Sequence, residues 1–290
     1  MPGRTLSSVP VFMLIRIYIA VILLFAACMP PPEGETLTVS IPPLKYFTER
    51  IAGEGFRINT LVGKGNDPHS FDLTASRIRL LRESKVCIST GILPFETGQL
   101  RSVLKTGKEC KLTELATSIL YCRNPSCNSG HDPHIWSLPE NGIRIAETIA
   151  RTLSEIYPEK AEVFRKNSKR LTDSIKAADS RLREIFASKK HKAFIIYHPS
   201  LTSFAEAYGI RQIAIEKEGK EPGINHMKRV IEEAKCHKAR LVLIQSLFER
   251  QNAETVAEEI SGLVREFDPL PEDWMKEIRK LSDIFNECME

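Results

Sequence analysis

Three histidines and one aspartate of this 290-residue chain lie in turns that contain proline. His69 and His134 each end an Asp-Pro-His triplet, His198 opens a His-Pro pair, and Asp268 opens an Asp-Pro pair. Proline fixes its own φ and pushes the preceding residue toward extended backbone, so such turns hold a side chain firmly. Three imidazoles and one carboxylate make a near-tetrahedral ligand set that suits Zn(II), with Mn(II) as the second metal that fits. Calcium and magnesium prefer oxygen ligands, so the four residues together predict a zinc site.

Two aspartates precede the first two of these histidines by two residues each. Asp67 and Asp132 can orient an imidazole from behind the metal, or they can cap the helix that follows. Capping is the more frequent use of such an aspartate, and the sequence leaves both interpretations open.

Strands and helices alternate around these turns. Before residue 158, strands are predicted at 36–41, 56–62, 85–90 and near 111, with helices at 42–53 and 74–82. After residue 190, strands are predicted at 193–197, 210–215 and 240–245, with a segment at 263–267 leading to Asp268, and helices at 200–209, 227–238, 252–262 and from 271 onward. This alternation is typical of parallel sheets covered by helices, in which ligands bind at the carboxyl ends of the strands.

A long helix is predicted between the two sets of strands, from Pro158 to about Lys190. Small or apolar residues recur three and four apart along it and form one stripe, interrupted by Ser168: Ala161, Phe164, Leu171, Ile175, Ala178, Leu182 and Ile185. Some thirty helical residues span roughly 45 Å, enough to run along a molecule of two lobes. A coiled-coil strand is the alternative. The predicted fold is therefore α/β, with lobes at 37–157 and 191–290 joined by a spine helix at 158–190, and two metal ligands coming from each lobe.

The N-terminal segment has the pattern of a secretory signal. An apolar run from Val11 to Ala27 carries the single positive charge of Arg16 and ends in Phe-Ala-Ala-Cys28, which resembles a bacterial lipobox. We expect residues 1–28 to form a signal segment that is cleaved just before Cys28. Cys28 would then carry a lipid anchor, and residues 29–36 would form a tether. An uncleaved anchor helix is the alternative, and Met13 is a second candidate start.

Composition narrows the class of protein further. The net charge is +4 and falls to +2 without Arg4 and Arg16, which gives no case for nucleic-acid binding.

Six cysteines follow Cys28 in a compartment that permits disulfides. The near neighbours Cys122 and Cys127 can form a local bridge, which we favour, or can act as auxiliary zinc ligands beside His131.

The ordered motifs resemble those of the cluster A-I solute-binding proteins of zinc and manganese ABC transporters. The resemblance covers about residue 37 to the C-terminus, and its matching blocks are GKGNDPHSF (63–71), DPHIWSLP (132–139), YHPS (197–200), YGI (208–210), GKEPG (219–223) and FDPL (267–270). The resemblance implies an exported, monomeric protein that captures metal and delivers it to a membrane permease with its ATPase. It also implies that His69, His134, His198 and Asp268 are the ligands, and the histidine at the third position goes with zinc in this family.

The chain departs from the family pattern in two places, and two other classes of protein stay open. The usual Trp-Leu-Ser-Pro is transposed to Trp-Ser-Leu-Pro at 136–139, and the long histidine-rich loop is replaced by the short segment 122–131. A secreted zinc hydrolase needs a general base and an open metal position, for which Glu249 and Glu266 are the nearby acids. A lipid-anchored adhesin is the other alternative, and no motif of the sequence tests it.

Overall fold

The structure is a computed structural model that describes residues 34–106, 110–119, 132–216, 223–245 and 250–289. The predicted signal segment with Cys28, most of the tether, the Cys122–Cys127 pair, His131 and Glu249 lie outside these residues. Predictions about them, and the predicted domain boundaries, stay predictions.

Two parallel four-stranded sheets organise the described residues. The first has the strand order β2-β1-β3-β4 and the second has the order β6-β5-β7-β8, and all their strand pairs are parallel. The strands of the first sheet are β1 Glu35–Val39, β2 Phe56–Thr60, β3 Val86–Ser89 and β4 Lys111–Glu114. Those of the second are β5 Ala193–Ile196, β6 Arg211–Ala214, β7 Leu241–Ile244 and β8 Leu263–Glu266.

Helices connect and cover these strands. In chain order they are α1 Pro42–Ala52, α2 Ala75–Arg82, α3 Arg101–Thr106, α4 Ala116–Ile119, α5 Pro139–Ile156, α6 Ala161–Ser188, α7 Thr202–Tyr208, α8 Ile224–Cys236, α9 Arg250–Glu259 and α10 Trp274–Cys288. A π-helical turn, Glu96–Leu100, precedes α3, and 3-10 turns lie at Ile135–Ser137 and Pro158–Lys160. Within the described residues, no helix combines the length and the apolar character that crossing a membrane would need.

The predicted spine is α6, and it contacts both lobes. It packs against α1 and α5 on the side of the first sheet and against α7 and α10 on the side of the second. The predicted stripe is its buried face, except that Ala178 is partly buried, and Ser168 lies within the stripe at 6% exposure. The stripe is thus covered by this chain's own helices, which removes the reason to expect a coiled-coil partner.

Several predicted helix limits were wrong in detail. Residues Pro158–Lys160 form a 3-10 turn before α6, so the α-helix itself begins at Ala161. Helix α7 begins at Thr202, two residues after its predicted start, with Leu201 as its N-cap, and the hydroxyl of Ser200 accepts a hydrogen bond from Gln245. Helix α8 begins three residues before Met227. Asn252, the predicted first residue of the next helix, lies inside α9.

Helix α5 is absent from the elements predicted from the sequence. It has the signals of a helix, since Pro139 occupies its first turn and Ile145, Ile149 and Leu153 recur four apart and are fully buried. It forms an antiparallel pair with α6 through the turn at 157–160, so the first lobe reaches the spine through this helix.

One apolar core runs through both lobes. It includes residues of the first sheet, the spine, and one face of the second sheet, where Phe194 and Ile196 point. Side chains alternate along a strand, so Ala193 and Ile195 point to the opposite face and form a separate, smaller core with α8 and α9. The predicted fold of two α/β lobes around a long helix is confirmed.

A close three-helix junction inside the shared core gives a test of this packing. A Cβ atom on Gly142 of α5 would lie 3.0 Å from Cη2 of Trp274 on α10 and 3.3 Å from Cζ of Phe47 on α1. We expect Gly142→Val to lower the free energy of unfolding by about 2–3 kcal/mol, because the buried junction cannot accept the added volume. Urea denaturation measures this.

The matched control is Gly98→Val, because Gly98 is exposed and a Cβ atom there meets nothing within 4 Å. This variant should stay within about 0.5 kcal/mol of the wild type. Equal losses in the two variants would contradict the packing argument.

Candidate metal site

His69 lies in the loop between β2 and α2, which is held by contacts within the first lobe. The carboxylate of Asp67 accepts hydrogen bonds from the backbone N–H of His69 at 2.9 Å and from the hydroxyl of Ser70 at 2.8 Å. Phe71 packs against Phe95, with ring centroids 5.0 Å apart. Asp67 thus stabilises the turn that presents His69, and within the described contacts it neither caps α2 nor touches the imidazole.

His134 lies at the start of the 3-10 turn that leads into α5, and only 4% of it is exposed. Oδ1 of Asp132 accepts the backbone N–H of His134 and lies 3.0 Å from its Nδ1. Oδ2 of Asp132 accepts the backbone N–H and the hydroxyl of Ser203, at the start of α7. Of the two roles open for Asp132, the structure shows the one that orients the imidazole.

His198 lies two residues after the end of strand β5. Its Nδ1 lies 2.9 Å from Oε2 of Glu216, a buried residue just after the neighbouring strand β6. The carboxyl ends of adjacent parallel strands meet at one edge of a sheet, which is why the two residues lie together. His198 and His134 therefore each have a carboxylate behind the ring.

The three imidazoles converge on one point. Nε2 of His134 lies 3.2 Å from Nε2 of His69 and 3.3 Å from Nε2 of His198. A Zn–N bond of about 2.0–2.1 Å with tetrahedral angles places two ligand nitrogens roughly 3.3–3.4 Å apart. One potential ligand atom from each histidine lies within 4.8 Å of the others, a spacing at which they can hold a metal ion. When Nδ1 carries the proton and donates to the carboxylate behind it, Nε2 is free to bind the ion.

Asp268 is not part of this close group in the described residues. Its Oδ1 accepts the backbone N–H of Leu270 at 2.9 Å, and its own N–H donates to Glu277 at 3.0 Å. The next residue, Pro269, accepts a hydrogen bond from the indole of Trp136, two residues after His134. The structure therefore brings the Asp268 turn beside the His134 turn, and its role as fourth ligand stays a prediction.

Burial and the neighbouring imidazole favour the neutral form of His69 and His198. Burial, and then the nearby His134, lower the pKa of His69 from 6.5 to about 4. The pKa of His198 is also lowered, by burial and by His134, against the opposing effect of Glu216. Burial would raise the pKa of Asp132, but hydrogen bonds and charge from His134 and the bonds from Ser203 outweigh it and hold that pKa at about 2. The site thus combines two rings with lowered pKa values and a carboxylate whose low pKa keeps it charged.

Sequence reasoning missed Glu216 and Ser203. Glu216 has a recognisable signal, because it is an acid directly after a predicted strand, but the partner it bonds is set by strand order. Ser203 has no local signal, since its partner Asp132 lies 71 residues away. Of the histidines outside the predicted site, His237 is exposed, whereas His191 and His226 are half-buried.

Two α/β lobes around a long helix, with three imidazoles converging between them, define a two-lobed metal-binding protein. The sequence and fold comparisons agree with this class. Residues 37–288 match the family described as zinc-uptake complex component A, periplasmic, or ZnuA. The chain belongs to this family, which confirms the resemblance found in the motifs.

Similar proteins include solved structures and a curated lipoprotein. A crystal structure of ZnuA is 30% identical, with a TM-score of 0.80 over 88% of this chain and 99% of that one. The zinc-binding lipoprotein AdcA of Streptococcus pneumoniae is 22% identical over 285 residues, which cover 92% of this chain and 57% of AdcA. A manganese-bound periplasmic metal-binding protein of Candidatus Liberibacter asiaticus shares the fold at 20% identity, with a TM-score of 0.74 over 87% of this chain and 99% of that one.

The lowered pKa of His69 predicts how the metal-free protein responds to acid. Between pH 6.5 and about 4 the unfolded chain binds a proton at His69 that the folded chain does not bind, so the free energy of unfolding should fall as the pH drops through this window. Urea unfolding of the metal-free protein at pH 7 and pH 4.5 measures the decline. His69→Gln should show a smaller decline, and an equal decline in both proteins would refute the assignment.

The carboxylate behind His198 should contribute to metal affinity. Glu216→Ala removes the acceptor of the His198 Nδ1–H, so the ring loses its orientation, and zinc affinity should fall by about 10- to 100-fold. Competition titration against a zinc chelator measures the change.

Glu233→Ala is the control for Glu216→Ala, because Glu233 is an exposed partner of Arg211. It should bind zinc as the wild type does. Wild-type affinity in Glu216→Ala would show that the contact has no role in binding.

Proposed function

We propose that this chain captures Zn(II) outside the cytoplasm and delivers it to the permease of an ABC transporter, which works with its ATPase. The ion binds between the lobes to His69, His134, His198 and Asp268. The observation that carries the proposal is the convergence of three Nε2 atoms at distances that match a tetrahedral zinc site. The family description, a periplasmic component of a zinc-uptake complex, supports it.

The chemistry of the ligands selects the metal. Three neutral imidazoles favour zinc, and one carboxylate balances part of its charge. Mn(II) is the second metal that the same set accepts, and the manganese-bound structure of the same fold supports that alternative.

Asp268 completes the ligand set from the second lobe. The hydrogen bond from Trp136 to the carbonyl of Pro269 brings its turn to the His134 turn. A shift of the carboxylate toward the three nitrogens is required, and attraction to a dication supplies the reason for it.

The N-terminal segment sets the location of the protein. Cys28 carries a lipid anchor, and residues 29–36 tether the two lobes to the membrane, as the lipobox-like sequence indicates. The name of AdcA, a lipoprotein, supports this arrangement. The protein works as a monomer and does not bind nucleic acid.

The chain is not an enzyme in this proposal. Of the two acids considered for a zinc hydrolase, Glu266 lies at the surface and pairs with Arg250 at 3.0 Å. A general base must reach a metal-bound water, and a residue held in an exposed ion pair is poorly suited to that role. No contact of the described residues favours an adhesin.

Metal content of the purified protein tests the proposal. A chain starting just after Cys28 should hold one zinc ion, measured by elemental analysis, and His198→Ala and Asp268→Ala should each weaken binding strongly without loss of helix content. The loss follows because a tetrahedral site that lacks one protein ligand must take a weakly held water in its place.

His237→Ala is the matched control for the ligand variants, because His237 is exposed and lies outside the three-histidine group. It should keep its zinc. A wild-type protein without tight zinc would reject the proposed function, and unchanged affinity in Asp268→Ala alone would remove only the fourth ligand.

A further inference from the structure

The His134 turn belongs to the first lobe in sequence but bonds to the second lobe at both of its ends. At one end, Oδ2 of Asp132 accepts the backbone N–H of Ser203 at 2.9 Å and its hydroxyl at 2.8 Å. At the other end, the indole N–H of Trp136 donates to the carbonyl of Pro269 at 2.7 Å. The indole N–H of Trp274 then donates back to the carbonyl of Trp136, also at 2.7 Å.

Both indoles are enclosed. Trp136 and Trp274 are each 1% exposed, so water cannot replace a lost hydrogen bond without rearrangement of the surrounding core. The Trp136 ring also packs edge-on against the imidazole of His134, with centroids 5.4 Å apart. One side chain therefore touches a metal-site histidine and fixes the turn that carries Asp268.

The His69 turn has no comparable bond to the second lobe among the described contacts. The polar contacts of its loop run to Asp67, Gln99 and their neighbours in the first lobe. Its described contact with the second lobe is that of the His69 ring with the ring of His198, with centroids 5.5 Å apart. The ligand turns thus divide unequally, with His69 on one side and the other three joined to the second lobe.

We propose that Trp136 is a positioning residue of the metal site. Its indole holds the His134 turn against the Asp268–Pro269 turn, so that His134, His198 and Asp268 keep one arrangement with and without metal. Opening of the site then moves the His69 turn alone, although His69 and His134 both precede the spine in the chain. The inference rests on the proposed function for its metal, but the arrangement itself can be measured on the metal-free protein.

Hydrogen exchange of the two indole N–H groups tests the arrangement. The chain has two tryptophans, so a ¹⁵N-labelled sample gives two indole signals, which Trp136→Phe and Trp274→Phe assign. We expect both N–H groups to exchange slowly, and equally slowly with and without zinc. Fast exchange of the Trp136 signal in the metal-free protein would overturn the proposal, whatever the zinc affinity.

Zinc affinity tests the positioning role. Trp136→Phe keeps an aromatic ring but removes the donor to Pro269, and affinity should fall by about 10-fold. Tyr208→Phe is the control, because it removes one hydrogen bond, from a ring 8% exposed to Asp179 at 2.6 Å, without contact with a ligand turn. Its affinity should be unchanged.

A double-mutant cycle separates this role from general destabilisation. If Trp136 acts by joining the His134 and Asp268 turns, Trp136→Phe should cost much less affinity in the Asp268→Ala background than in the wild type. A full 10-fold loss in both backgrounds, or wild-type affinity in Trp136→Phe, would overturn the proposal while leaving the proposed function intact. If Trp136→Phe does not fold, Trp274→Phe replaces it, because it removes the hydrogen bond from the Trp274 indole to the carbonyl of Trp136. Its effect on zinc affinity is then compared between the wild-type and Asp268→Ala backgrounds.

Discussion

Both lobes of this chain contribute apolar residues to one shared core, and the position of the metal site depends on that continuity. Helix α6 contributes Phe164 on the side of the first sheet and Phe186 on the side of the second, and Phe186 packs against Phe204 and Phe285. Close-packed interiors do not deform gradually, so the lobes cannot hinge widely without breaking contacts along the spine. The carboxyl ends of the two sheets are thereby held near each other, and side chains from both can meet.

The electrostatics of the site favours the binding of a cation. The rings of His69 and His198 lie where burial and the neighbouring imidazole disfavour a proton. Asp132 stays charged because hydrogen bonds from His134 and Ser203 outweigh its burial. The carboxylate of Asp132, which orients the ring of His134, also accepts hydrogen bonds from Ser203 in the second lobe. One side chain therefore both orients an imidazole and joins the two lobes.

The sequence was sufficient for those features that depend on local chemistry. Prolines marked the turns at His69, His134, His198 and Asp268, and the spacing of apolar residues marked the stripe of α6. Contacts between distant segments were not predictable in this way. The partners of Asp132 and Trp136 lie 71 and 133 residues away and follow from strand order and helix packing. The hydrogen bonds that join the His134 turn to the second lobe were unpredictable for the same reason, because that turn precedes the spine in the chain.

The two sheets have the same strand order. In each half of the chain, the strand that comes first in sequence lies between the second and the third strands of that half. This repetition resembles a duplicated half, yet the two halves bring different histidines to one shared point. Neither half contains three of the converging imidazoles, since His69 and His134 precede the spine and His198 follows it. An ion held at this point by the three imidazoles would therefore need both halves of the chain, because an isolated half would lack at least one of the rings.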